Sequence, residues 1–379
     1  MADNETHGTA AAGFEPVRET LAAIAAAEHP GYAAQVVAYR YGERIVDLWT
    51  GPEITGDSLL GAYSASKGAA HLVAALLVQD GVLDLDERVC HYWPEFAVHG
   101  KQDLLLRELF AHRAGLVGAD DGFTLEELAD DRVIAERLGA QRPYWRPGAA
   151  FGYHALVMAA LTGEVVRRAT GSSIQDLFAE RVRDARGVDF YLGLPADQES
   201  RYLSTLPPVG TPAPLPSGPR SLFGIAFNLN NPKGPQVWEL PNFPVIRENG
   251  PASLGGVASA RGLARMYAAA ISSLDGQAPL LTPETVRMAG QIQSIGEDLV
   301  AHARKAFTIG FHATSEYYPE LGAGSFGHSG AGGQQAFADP RNGIAFGYTR
   351  RLSPLPVGPG ADVERLISAI YAGLTQGGQ

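Results

Sequence analysis

Ser64 and Lys67 stand three residues apart in Ala62-Tyr63-Ser64-Ala65-Ser66-Lys67-Gly68, ahead of an apolar run from Ala69 to Val78. The pattern predicts a helix start, and residues three apart share one helix face. A hydroxyl and an amine then lie within hydrogen-bonding reach, a nucleophile beside a base. The choice of cation matters, because thirty Lys plus Arg include only four lysines, Lys67, Lys101, Lys233 and Lys305. An arginine cannot release its proton in a protein, whereas a desolvated lysine can act as a base. On these residues alone, Ser64 reads equally as a helix cap with Lys67 a solvated side chain.

Two further stretches could supply partners. Pro147-Gly148-Ala149-Ala150-Phe151-Gly152-Tyr153-His154-Ala155 is a glycine-rich turn that delivers Tyr153 to the start of a helix. Tyr153 reads either as core packing or as a phenol near Lys67, whose charge would favour phenolate and proton acceptance. Phe326-Gly327-His328-Ser329-Gly330-Ala331-Gly332-Gly333 is either a plain turn or a place where backbone approaches a ligand and an N–H stabilises an oxyanion.

Two overlapping motifs are set aside. Gly322 to Gly327 matches G-x-G-x-x-G, but a strand pattern follows where a dinucleotide site needs a helix. Gly327 to Ala331 nearly matches G-x-S-x-G, yet Ala331 replaces the last glycine and no helix follows, so Ser329 is not taken as a nucleophile. The ten histidines show no metal-ligand spacing, and the single Cys90 excludes an internal disulfide and a thiolate-rich metal site. No metal or cofactor is expected. His71 reads as a satisfied core histidine and His112 as one that orders a loop.

The elements that must position these residues follow from pattern and punctuation. Helices are expected at Glu15 to Ala27, Leu83 to Val89, Asp103 to Phe110, Thr124 to Leu138 and Tyr153 to Ala169, and later at Ala260 to Ile271, Pro283 to Gln291 and Ala361 to Leu374. Hairpins are expected from Ala33 to Trp49 and from Gln334 to Arg350, with a further strand from Phe307 to Ala313. Eleven of the 25 prolines fall between Pro207 and Pro251, predicting an extended loop region over a cleft. The fold class is α+β: an antiparallel sheet flanked by helices, built from residues 1–82 and 254–379, with a mostly helical domain, 83–253, inserted between them.

At 379 residues and 45% hydrophobic content the chain is globular with room for two or three domains. A net charge of -11, with no cluster of Lys or Arg, argues against nucleic acid as a partner. Asp3 and Glu5 precede any apolar run, unlike a secretory signal, and the longest apolar run is broken by His71 and falls short of the roughly 18 residues that span a bilayer. No membrane partner and a cytoplasmic location are expected, which suits a lone cysteine.

Taken in order, Ser64-x-x-Lys67, Tyr153-His154-Ala155 and His328-Ser329-Gly330 resemble the motifs of the serine β-lactamase and penicillin-binding-protein superfamily, most closely its class C and family VIII carboxylesterase branch. Leu106 to Leu116, ending in His112-Arg113-Ala114-Gly115-Leu116, Trp145 to Gly148, and Gly255 to Ser259 fit the same family. The resemblance implies an antiparallel sheet beside an all-α domain, with the site between them. It implies that Ser64 attacks an ester or amide carbonyl while Lys67 and Tyr153 share the proton work, forming an acyl-enzyme. The oxyanion would sit between the N–H groups of Ser64 and Ala331, and His328, Ser329, Gly330 and Ala155 would meet the substrate.

Two departures from the family pattern bear on the substrate. Ala155 stands where β-lactamases carry an asparagine, and His328 where they carry a lysine; a histidine with an ordinary pKa of about 6.5 is mostly neutral at pH 7. The cation that would hold a penicillin carboxylate is thus missing from its family position, and esters with a neutral acyl part are expected. The leading expectation is a serine hydrolase of small to medium carboxylic esters. The alternatives are a biosynthetic acyltransferase, a β-lactamase or D-amino peptidase, and a scaffold without turnover.

Overall fold

Successive side chains of a strand point to opposite faces, and in Ala34–Arg40 both faces are apolar. Val36 and Ala38 enter one cluster of buried residues, Val37 and Tyr39 another. A sheet built on such strands must be covered on both sides. The computed structural model, which describes residues 5–211 and 217–376, has this arrangement.

The strands of the main sheet are β1 Thr6–Ala10, β2 Ala34–Arg40, β3 Glu43–Thr50, β4 Ser294–Glu297, β5 Arg304–Phe307, β6 His312–Ala313, β7 Phe326–Ser329, β8 Gln335–Asp339 and β9 Ile344–Arg350. They form one antiparallel sheet in the order β1-β3-β2-β9-β8-β7-β6-β5-β4. The two ends of the chain meet where β2 pairs with β9, from Ala34 opposite Arg350 to Arg40 opposite Ile344. The α+β class expected from sequence is observed.

The helices that matter for the site are α1 Glu15–Ala27, α2 Ser66–Gln79, α3 Met158–Thr170, α4 Ala260–Ile271 and α5 Ala361–Gln376. Val17, Leu21 and Ile24 of α1 and Leu366, Ile367 and Ile370 of α5 cover one face of the sheet. The other face packs on α2 and α4, in a cluster that continues through Leu109, Phe110, Ile134 and Leu161 of the helical segment. Every residue of α2 from Ser66 to Leu77 is buried, so this helix runs through the middle of the molecule and its first turn is rigidly placed.

Several element boundaries differ from expectation. Residues 83–88 form a turn-rich loop ahead of a short helix, Val89–Tyr92, and the next helix begins only at Leu106. The helix expected from Thr124 to Leu138 is two, Leu125–Leu128 and Asp131–Ala140, because Asp130 caps the second by accepting from the N–H groups of Arg132 and Val133. The strand expected from Phe307 to Ala313 is broken at Gly310, whose φ of 84° turns the chain, and the His71 ring lies 2.1 Å from where a Cβ would stand there. β1 and β4 were not foreseen; both are sheet edges whose residues alternate between partial and greater exposure.

The proline-rich region also holds more structure than proline content suggests. Helices span Leu222–Ala226 and Pro244–Asn249, with a 3₁₀ segment at Val237–Asn242. Pro244 takes the first helical position, where its missing N–H costs nothing. Residues 212–216 lie outside the described part. Among the described residues no helix is long and apolar enough to cross a membrane.

One buried polar network ties the outer helices to the sheet. Tyr32 and Tyr348 share a hydroxyl contact of 2.9 Å, Tyr348 donates to Asp362 of α5 at 2.6 Å, and Arg350 donates to the same carboxylate at 2.9 Å. Arg350→Ala removes the cation from the buried Asp362 carboxylate and leaves it only the Tyr348 hydroxyl among side-chain donors. Urea unfolding is expected to show a loss of about 3–5 kcal/mol.

Candidate active site

The approach to α2 is strained. Tyr63, the residue before Ser64, has a φ of 49°, a conformation that a bulky residue adopts only when its surroundings hold it. Here the Tyr63 hydroxyl donates to the Trp238 carbonyl at 2.7 Å, the Ala62 N–H donates to the Gly256 carbonyl at 2.8 Å, and the Gly256 N–H donates to Ser66 Oγ at 2.9 Å. Residues Tyr63–Ala65 form a 3₁₀ turn that leaves Ser64 half-buried at the floor of a cleft of about 370 Å³.

Lys67 is fully buried, and all three directions around Nζ are occupied. Nζ lies 3.0 Å from Ser64 Oγ, 2.5 Å from the Ala155 carbonyl and 2.8 Å from the Ser253 carbonyl. Burial pushes the amine well below the ordinary lysine range, while the charge of Asp131 works in the opposite direction. Asp131 accepts from Gln175 at 2.9 Å and from the Ala252 N–H at 2.8 Å, and burial raises its own carboxyl to about 6. This carboxylate therefore supports both the amine electrostatically and the strand of backbone that carries the Ser253 carbonyl.

Tyr153 is not at a helix start as the sequence suggests; α3 begins at Met158, and Tyr153 lies in an irregular connection. Its position is set by others. Its N–H donates to Asp298 Oδ1 at 3.1 Å, and the same oxygen accepts from the N–H groups of Val300 at 2.8 Å and Ala301 at 2.7 Å. The ring stacks on Phe307 at 5.9 Å, and Lys67 Nζ lies 5.2 Å from its centroid. The expected phenolate does not follow from this geometry. Burial raises the Tyr153 hydroxyl well above the usual tyrosine range, a nearby Ser64 hydroxyl offsets it only in part, and the phenol stays protonated.

Five of the expected site residues line one cleft: Ser64, Tyr153, Ser329, Gly330 and Ala331. Lys67 lies beneath them, bonded to Ser64. Gly330 is required by close approach, since a Cβ there would stand 2.7 Å from the Ala62 carbonyl. The N–H groups of Ser64 and Ala331 take no backbone partner among the described residues, whereas the Ala331 carbonyl accepts from Gly358 at 2.9 Å.

Ala155 and His328 do not line the cleft. Ala155 is buried and contributes its carbonyl to Lys67. His328 is fully buried because it faces the side of β7 opposite to Ser329; its Nδ1–H donates to the Ser329 carbonyl at 2.8 Å, and its ring stacks on His312 at 4.1 Å. Burial, with His312 and Lys67 adding to it, holds the His328 imidazole neutral.

The other histidines brace the connection that carries Tyr153. His112 Nδ1 accepts from the His154 N–H at 3.0 Å, and His154 bonds the Gly152 carbonyl at 2.7 Å and the Leu116 N–H at 3.1 Å. His71 is a core residue, donating from Nδ1 to the Lys67 carbonyl at 2.7 Å. Among the described residues no set of three or more His, Cys, Asp or Glu converges as metal ligands.

Sequence reasoning missed Asp131, Ser253, Asp298 and Lys305. The first three act on backbone groups of distant segments, and no short motif marks them. Lys305 was visible as one of four lysines, but only the fold brings it to the cleft, beside Phe223 and Phe227 of the proline-rich region. The cleft therefore holds a cation, though not at the position of His328.

The family model described as Beta-lactamase matches residues 17–367. The chain is similar to the Mycobacterium tuberculosis protein named Esterase/beta-lactamase LipL, 31% identical over 338 residues, which are 84% of this chain and 77% of that protein. Among solved structures, EstA from Arthrobacter nitroguajacolicus Rue61a is 41% identical with a TM-score of 0.92, covering 98% of this chain and 99% of the other. A family VIII carboxylesterase is 30% identical with a TM-score of 0.87, covering 97% of this chain and 100% of the other.

The Asp298 side chain yields a stability prediction. Asp298→Ala strips three backbone N–H groups of one charged acceptor, and an expected loss of about 1.5–3 kcal/mol is read by chemical denaturation. Asp298→Asn keeps an acceptor oxygen and should lose distinctly less.

Proposed function

We propose that this chain, which belongs to the beta-lactamase family, hydrolyses carboxylic esters by way of an acyl group carried on Ser64. The coordination of Lys67 Nζ carries the reading. Carbonyl oxygens only accept, so N–H bonds of Lys67 point at Ala155 and Ser253. Burial favours the uncharged amine, whose lone pair then faces Ser64 Oγ at 3.0 Å. The names of the similar proteins, an esterase/beta-lactamase and a family VIII carboxylesterase, support an ester as the substrate.

In the proposed sequence Lys67 takes the hydroxyl proton as Ser64 Oγ bonds to the ester carbonyl carbon. Negative charge on the carbonyl oxygen is met by the N–H groups of Ser64 and Ala331. The phenol of Tyr153 protonates the departing alkoxide, and the Lys67 ammonium then returns a proton to Tyr153. Water repeats the steps in reverse order to free the acid and restore Ser64. A phenol that stays protonated is suited to the donor role, and an amine that loses its proton readily is suited to the acceptor role.

Ser64→Ala should abolish both p-nitrophenyl ester turnover and the mass adduct formed with a fluorophosphonate. Lys67→Arg keeps the charge but removes the acceptor, and an expected fall in kcat of about 10²-fold or more is read from steady-state rates. A Lys67→Arg enzyme within a few-fold of the native rate would remove Lys67 from the role of base.

The pH profile follows from the same signs. kcat/KM should rise with pH as Lys67 loses its proton, and this limb should lie below the ordinary lysine range because burial lowers the Lys67 pKa. The Asp131 charge favours the ammonium, so Asp131→Asn should move the limb to lower pH. A limb that stays in place would show that Asp131 does not act on the base.

A further inference from the structure

The cleft contains an ammonium whose hydrogen-bonding capacity is unspent. Lys305 of β5 lines the same cleft as Ser64, Tyr153 and Ala331, and no other Lys or Arg lines it among the described residues. Lys67 commits its donors to the protein, and Lys101 donates to the Gln141 carbonyl at 2.7 Å. Lys305 Nζ makes no hydrogen bond and no ion pair among the described residues.

Its position is nevertheless defined. Nζ rests 5.5 Å from the centroid of the Tyr317 ring, and the Tyr317 hydroxyl is anchored by accepting from the Ala306 N–H at 3.0 Å. A ring face attracts the ammonium without using its N–H donors. The nearest carboxylate influence on Lys305 comes from Asp298, whose Oδ1 is committed to three backbone N–H groups and whose Oδ2 is buried without a hydrogen-bond partner; neither oxygen forms an ion pair with Lys305 among the described residues. Glu364 of α5, also at the cleft, is exposed to water. A charge seated this way, partly removed from water and short of acceptors, is complementary to an anion on whatever occupies the cleft.

Resting on the ester-hydrolase reading above, we propose that Lys305 is a specificity residue that selects esters bearing a carboxylate. The carboxylate oxygens accept from Lys305 Nζ while the ester carbonyl lies at Ser64. The charge belongs either to the acyl part, as in a half-ester of a dicarboxylic acid, or to the alcohol part. With the charge on the acyl part, this departs from the expectation of a neutral acyl group, which rested on the absence of a lysine at position 328; with the charge on the alcohol part, that expectation stands.

Two matched pairs of esters separate the sources. In the acyl pair, p-nitrophenyl hydrogen glutarate is compared with its methyl ester; in the alcohol pair, the butyrate of 4-hydroxybenzoate is compared with that of its methyl ester. In one pair the charged member should exceed the neutral one in kcat/KM by about tenfold or more, the range of a hydrogen bond to a charged group. That ratio should shrink as salt is raised, fall about tenfold in Lys305→Met, and persist in Lys305→Arg.

A ratio at or below one in both pairs, or one unchanged in Lys305→Met, overturns the proposal. Calorimetric titration with glutarate and 4-hydroxybenzoate gives a readout independent of turnover. Binding of either that is lost in Lys305→Met and kept in Lys305→Arg supports the site, and no binding of either at millimolar concentration overturns it. Should no ester turn over while Lys305-dependent binding remains, the ester reading fails and the anion site stands.

Discussion

A lysine side chain with no exposure to water is the constraint around which this molecule is arranged. Removing an ammonium from water is costly; the protein supplies backbone carbonyls from Ala155 and Ser253 to the amine, and burial shifts it toward its uncharged form. Both carbonyls come from segments far from Lys67 in sequence. Their convergence requires the helical segment and the chain entering α4 to be closed onto the first turn of α2. That closure is what surrounds the Lys67 amine with acceptors.

The surrounding histidines follow the same logic. His71, His112, His154, His312 and His328 are buried around Lys67 and Tyr153, and burial holds each in its neutral form. Neutral rings can pack against Phe307, Phe110 and Phe311 as aromatic residues do, while Nδ1 of His71, His112 and His328 and both ring nitrogens of His154 bond backbone groups. They serve as rigid spacers with polar ends. Burial is the largest cause of the neutral state in all five, and the charge of Lys67 works in the same direction on each.

The sheet separates two tasks. Its outer face, under α1 and α5, is closed by an apolar cluster and by the network of Tyr32, Tyr348, Arg350 and Asp362. Its inner face and its far edge hold the chemistry: β7 brings Ser329 and the backbone beyond it to Ser64, while β5 and β6 bring Lys305 and His312 to the cleft. Phe223 and Phe227 close the cleft from the proline-rich region. These cleft-lining residues thus come from strands and loops other than those that supply the Ala155 and Ser253 carbonyls to Lys67.

The α+β layout, the helices α1 and α4, and the hairpins were legible in the sequence because apolar period and turn residues are local signals. Ser64 and Lys67 were legible because one turn of helix sets their separation whatever the rest of the fold does. Tyr153 was found as a residue but misplaced as a helix start, since the bonds that hold it come from Asp298, a residue remote in sequence. Its protonation state was misjudged for a related reason: charge proximity can be guessed from a motif, but burial, which dominates here, is a property of the packed interior. The positions of His328 and Lys305 were decided the same way. Strand alternation turned His328 inward to His312, and sheet order carried Lys305 to the opening, so the cation absent from one motif is provided by a strand that no motif describes.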